Sequence, residues 1–300
     1  MNQLMSESRR GTLARLLIII AILAAMIMVV SPARPVAAAC GGTTSVGTET
    51  ELNNAISAFN AETTTPCVFT IQLSADIDLT ASTAEIFNAT AGIELVIQGD
   101  SHTLDGQGIA GVSPLVIANN TSVGIDGLTI TGGKSSDTVD GGGLTNFGEL
   151  TLTNSTVSGN EADDEGGGIA NFGTMRIEGS TISGNISGRN GGGVINEFGV
   201  MTIVNSTISG NTTVQKGGGV FHRDSSSITI DSTTITDNTS TSGGAFYTED
   251  GTATIRNSIL ANSTSASDCG GDSGVTFAGG HNLIESQTAP CSFVNGTNGN

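Results

Sequence analysis

Residues 141–165 read GGGLTNFGELTLTNSTVSGNEADDE, and residues 166–190 read GGGIANFGTMRIEGSTISGNISGRN. The second stretch restates the first, and aligning on the glycines extends the pattern to five consecutive units that begin at Gly141, Gly166, Gly191, Gly217 and Gly243. Their spacings of 25, 25, 26 and 26 residues lie in the range of stacked solenoid repeats. Inside each unit apolar and polar residues alternate: Leu150 and Leu152, Met175 and Ile177, Met201 and Ile203, Ile228 and Ile230, Ala253 and Ile255. A period of two puts each pair on one face of a strand. Thr151, Arg176, Thr202, Thr229 and Thr254 stand between them and are expected to face out.

A second strand follows in each unit, TVSGN at 156–160, TISGN at 181–185, TISGN at 207–211 and TITDN at 234–238, each with one inward Val or Ile between hydroxyls. The segment after the glycines supplies a third, centred on Leu144, Ile169, Val194, Val220 and Phe246. Three short strands per turn with Gly and Asn at the corners describe one coil of an all-β, right-handed parallel β-helix, the pectate-lyase-like solenoid. Asn160, Asn185, Asn211 and Asn238 recur at one corner, where a stacked row of side-chain amides is expected. A lone coil cannot bury its apolar face, so each must offer the next the same side chains at the same height. Repetition makes a core here from a chain that is only 4% aromatic.

Upstream, IELVIQGDSHTLDGQG at 93–108 and SVGIDGLTITGG at 122–133 keep the alternation and the glycine corners. Thr48 and Glu51 form a capping box, and Leu52, Ala55, Ile56 and Phe59 fall at helical spacing, which predicts a short amphipathic helix covering the open end of the first coil. CVFTIQLSADIDLT at 67–80 reads as strands entering the stack. The expected plan is a signal peptide at 1–39, an N-terminal cap and first strands at 40–92, β-helix repeats at 93–268 and a disulfide-closed C-terminal cap at 269–300.

The export signal rests on Arg9, Arg10 and Arg15, the apolar run Leu16 to Val30 and the small residues Ala37-Ala38-Ala39 before Cys40. Fifteen apolar residues fall short of the ~20 that span a bilayer as a helix. Removing this segment takes Arg9, Arg10, Arg15, Arg34 and Glu7 from totals of 10 basic and 28 acidic residues, leaving 6 and 27 and a formal charge of −21. Such a surface repels nucleic acid and anionic lipid, and no remaining segment reads as a membrane span. Four cysteines in an exported chain suggest disulfides. Acylation of Cys40 would leave three thiols, whereas pairing Cys40 with Cys67 and Cys269 with Cys291 uses all four at the two ends, where a stack frays most.

The elements GGGL, GGGI, GGGV, GGGV and GGAF resemble those of right-handed β-helix repeats in bacterial surface proteins, including the polymorphic outer-membrane protein family. That family's FxxN element is replaced here by Asn-Phe-Gly at 146–148 and 171–173. NSILANSTSASDCGGDSGVTFAGGHNLIES, residues 257–286, is similar to the end of the repeat region in choice-of-anchor Q domain proteins. Together the two resemblances cover roughly residues 93–291. They imply export, surface display and a β-helix, and no catalytic residue.

The expected function is an exported, non-catalytic surface or adhesion module whose partner is a surface glycan or protein and which needs no cofactor. A carbohydrate-active enzyme is the alternative, because polysaccharide lyases and glycoside hydrolases use this fold, but a fold alone assigns no chemistry. Asp163-Asp164-Glu165 is the one dense acidic run, read as a solvated loop with calcium as the alternative. Lys216, His222, Arg223 and Asp224 gather in one unit where others have Asn-Phe, the best candidate for a polar site. His102 and His281 read as turn residues. Thr151, Thr202, Thr229 and Thr254 form one outward hydroxyl row and Thr156, Thr181, Thr207 and Thr234 another, which raises ice binding as a third reading; β-propensity accounts for both rows.

Overall fold

Strands one unit apart in sequence lie side by side, and among the described residues every strand ladder is parallel, with one isolated antiparallel bridge between Val112 and Lys134. The computed structural model describes residues 38–136, 140–272, 276–286, 288 and 291. The expected signal peptide therefore lies outside the described residues, except for Ala38 and Ala39, which open the first strand. The described residues wind into a right-handed parallel β-helix of about 9 turns.

Successive turns build a ten-stranded sheet from Ala38–Val46 to Thr276–Ala278, a seven-stranded sheet from Leu115–Ile117 to Cys269–Gly271 and a nine-stranded sheet from Ile77–Asp78 to Leu283–Ile284. A fourth stack of two-residue strands, Lys134–Ser135, Glu161–Ala162, Ile186–Ser187 and Thr212–Thr213, was not expected. It forms because the chain between the Asn corner and the next glycines stays extended just long enough to bridge its counterpart. Residues 40–92 supply the first two strands of the long sheet as well as the helix, and coil pairing continues past 269.

Register explains the repeat. Leu152, Ile177, Ile203, Ile230 and Ile255 pair in series, and all are fully buried. Each such side chain contributes about 1.5–3 kcal/mol. Between them Thr151, Thr202, Thr229 and Thr254 stay at least partly exposed, with Arg176 held to Glu178 at 2.7 Å. The second threonine row belongs to the nine-stranded sheet, so the two hydroxyl rows lie on different sheets.

Asn160, Asn185, Asn211 and Asn238 form the predicted ladder, each Nδ2 donating to the next Oδ1 at 2.9–3.0 Å. Buried amides satisfied this way add hydrogen bonds along the stack with no unpaired polar group. The helix runs over Glu49–Asn60 with Thr48 as its N-cap and buries Leu52, Ala55, Ile56 and Phe59 against the first strands. The Glu51 amide donates to Thr48 Oγ1, and the Glu51 carboxylate accepts from the Gly47 amide, one residue before the usual donor of the box. Cys40 pairs with Cys67 and Cys269 with Cys291, closing loops of 27 and 22 residues.

Candidate functional site

The seven-stranded sheet carries what the repeat pattern hides. Its strands face the core through Leu144, Ile169, Val194, Val220 and Phe246, as expected, but the middle residues Ala170, Ile195, Phe221 and Tyr247 point away and build a second apolar cluster. The signal for this row was present in sequence: an apolar residue between two inward ones, growing from Ala to Tyr along the stack. The third position turns inward again as Asn146, Asn171 and Asn196, a second amide ladder with links of 2.7 Å.

His222 occupies the next place in that ladder. It is fully buried, with Nδ1 3.1 Å from Asn196 Nδ2 and 3.0 Å from Ser226 Oγ, and burial pushes its pKa down to about 4. Since Asn196 donates to Nδ1, the network places the ring proton on Nε2, which has no hydrogen-bond partner among the described residues. His222 is thus part of the core, and the expected His222-Arg223-Asp224 grouping divides between two faces of the strand.

Arg223 faces out and anchors an ion network. Its NH2 lies 2.8 Å from Glu165 and 2.9 Å from Glu197, and its Nε lies 2.9 Å from Asp224. Its guanidinium sits 5.7 Å over the Phe221 ring. Glu165 also accepts from Asn190 at 2.6 Å, and its side chain is 1% exposed. That corrects the reading of 163–165 as a solvated run: Asp163 is exposed, Asp164 pairs with Arg189 at 3.1 Å, and Glu165 is sealed by a cation from two coils on. Burial raises the pKa values of Asp140, Glu165 and Glu197. Lys216 joins a separate group, 2.9 Å from Glu249 and 4.6 Å over the Tyr247 ring, whose hydroxyl donates to Asp272. His102 lies 3.4 Å from Asp76, and His281 takes a positive φ in an exposed turn.

The corner leading to the ten-stranded sheet changes length along the stack. It reads Phe147-Gly148, Phe172-Gly173, Glu197-Phe198-Gly199, Arg223-Asp224-Ser225-Ser226 and Glu249-Asp250-Gly251. In the short corners the glycine is obligatory, because a Cβ on Gly173 would lie 2.2 Å from the Gly148 carbonyl oxygen. The longer corners absorb their extra residues with positive φ at Phe198, Asp224 and Ser225. Aromatic side chains result at the surface: Phe147 is 38% and Phe198 67% exposed, and Phe147 and Phe172 stack at 5.0 Å. Beside Phe147 opens a cleft of about 560 Å³, lined among others by Asn119, Asn120, Ser122, Glu149 and Thr174. The sequence reading missed this cleft, since its lining comes from four successive coils.

The Chlamydia polymorphic membrane protein repeat matches residues 232–249, which span the Thr234–Thr236 strand, the Asn238 corner and the GGAF element. No curated protein and no solved structure matches the chain. Among the described residues no helix is long and apolar enough to cross a membrane. The matched repeat and the fold fit a surface-exposed β-helix protein. The chain is a right-handed parallel β-helix repeat protein that resembles the polymorphic membrane protein repeat over residues 232–249.

Proposed function

We propose that the protein is exported and serves at the cell surface as a non-catalytic adhesion module. The observation that carries the reading is the corner row, which exposes Phe147 and Phe198 and opens a cleft with amide and hydroxyl groups beside Phe147. Aromatic anchors beside polar groups suit recognition. The matched repeat at 232–249 and a disulfide near each end of the described stack support display in an oxidising environment. Beads coated with residues 40–300 should be retained on at least one of a panel of bacterial and eukaryotic cell surfaces, whereas beads coated with the reduced, unfolded chain should not. Equal retention of the two, or none, overturns the reading.

One observation favours a carbohydrate-active enzyme: Arg223 gathers carboxylates, and burial holds Asp140, Glu165 and Glu197 above the usual carboxylate range. General acids are made this way. Against it, Glu165 is sealed from solvent and the mature charge of −21 repels uronates. Pectin and polygalacturonate incubated with the protein and calcium should stay intact. Cleavage that disappears in Arg223→Ala would establish the enzyme instead.

A further inference from the structure

The aromatic row has a gap beside Phe147. Ile86 bridges Ile117, and Ile117 pairs with Asn146, so the residues that follow them, Phe87, Ala118 and Phe147, occupy successive levels of the stack. Phe172 takes the next level, its ring 5.0 Å from that of Phe147 and tilted by only 12°. One face of Phe147 is therefore covered by Phe172. The other looks toward the level of Ala118, where a methyl group replaces a ring. Parallel strands lie about 4.8 Å apart, so one missing ring leaves a slot about one ring thick. The cleft of about 560 Å³ runs alongside, lined by Phe147 itself, by Asn119 to Ser122, which follow Ala118 in the chain, and by Ala89 and Ala91 one level below.

We propose that this slot seats a sugar ring of an uncharged glycan, stacked on the free face of Phe147. The rim is suited to hydroxyl groups: Asn119, Asn120, Ser122 and Thr174 offer amides and hydroxyls. Thr121 is not part of this set, being buried and already accepting from the Asn88 amide. No Lys or Arg lines the cleft, and the chain has a formal charge of −18, so uronates, phosphates and sulfated sugars are disfavoured. An acyl chain would strip water from the rim without replacing its hydrogen bonds. An aromatic side chain of a partner protein would fill the slot as well as a sugar, but would leave the rim unpaired.

This assignment rests on the adhesion reading and names its ligand class. The test is saturation-transfer NMR and titration of residues 40–300 with cellohexaose, chitohexaose and mannohexaose, with trigalacturonate as the charged control and N-acetylphenylalaninamide as the protein-like probe. At least one neutral hexaose should bind with a dissociation constant of about 1 mM or tighter. Ala118→Phe fills the slot from within and should weaken that binding by about tenfold or more, as should Phe147→Ala. Arg176→Ala, on the ten-stranded sheet, should change nothing. Unaltered thermal midpoints establish that each variant folds; if Ala118→Phe does not, Phe147→Ala decides. The proposal fails if no neutral hexaose binds, if folded Ala118→Phe or Phe147→Ala binds as well as the parent, or if trigalacturonate binds better. It also fails if only the phenylalanine probe is lost on filling the slot. Coated beads that adhere equally with and without Ala118→Phe leave adhesion standing and remove the slot, whereas parent beads that never adhere remove the adhesion reading itself.

Discussion

Replacing His222 with Asn is expected to keep the protein as stable near neutral pH and to remove most of its sensitivity to mild acid. The substitution continues the ladder of Asn146, Asn171 and Asn196 by one coil, and it removes a buried ring nitrogen that has no hydrogen-bond partner among the described residues. His222 is fully buried, and burial lowers its pKa from 6.5 to about 4. A pKa lower in the folded than in the unfolded chain contributes stability above the unfolded value. That stability is lost as pH falls from 6.5 to about 4, because the unfolded chain takes up a proton that the folded chain refuses. At about 1.36 kcal/mol per pH unit the loss approaches about 3 kcal/mol. Asp140, Glu165 and Glu197 act in the opposite sense, since their folded pKa values are raised by burial. Their contribution is fully present below their unfolded pKa values and is lost as pH rises through the folded ones. It is common to both proteins and cancels in the difference. Urea unfolding of parent and variant across this range should therefore give stability differences that move in the variant's favour by about 3 kcal/mol toward acid. Curves that stay parallel would refute the buried, neutral histidine.

Arg223→Met leaves Glu165 and Glu197 without their cation and should cost about 3–5 kcal/mol near neutral pH. The same denaturation assay should show the cost shrinking in acid, as the raised carboxylates take up protons; a cost independent of pH would contradict the network. Ile203→Asp places a charge in the core and should unfold the protein or lower its thermal midpoint far more than Thr202→Asp, whose side chain faces out. Similar losses would mean the faces are reversed. Reducing either disulfide should cost about 3 kcal/mol by the loop-entropy estimate. Non-reduced peptide mapping should recover Cys40 with Cys67 and Cys269 with Cys291, and a Cys40–Cys291 link would contradict the end-by-end pairing.

The coil was legible because its signals are local and repeated: an alternation of two in LTLTN and MRIEG, glycines at fixed intervals, and an Asn at the same corner four times over. The helix was legible from one cap and four apolar positions. The site was not, for a physical reason. Residues far apart in sequence meet one coil or two coils up the stack, so Glu165 and Arg223 are 58 positions apart yet bonded. His222 and Arg223 looked like one cluster because they are adjacent, but neighbouring strand residues face opposite ways. The alternation that assigned Ile203 and Thr202 separates these two as well. The gap in the aromatic row beside Phe147 depends on an absence, the small side chain of Ala118 at a level flanked by phenylalanines, and it becomes visible only once register is known.

Binding without cleavage is the property on which the reading of this surface stands. It is tested most directly by applying purified residues 40–300 to an array of neutral and acidic glycans, with calcium and with a chelator. Retention is expected on a subset of uncharged glycans, unaltered by the chelator, with the arrayed sugars left intact. A silent array, retention confined to acidic glycans, or release of sugar fragments would contradict it.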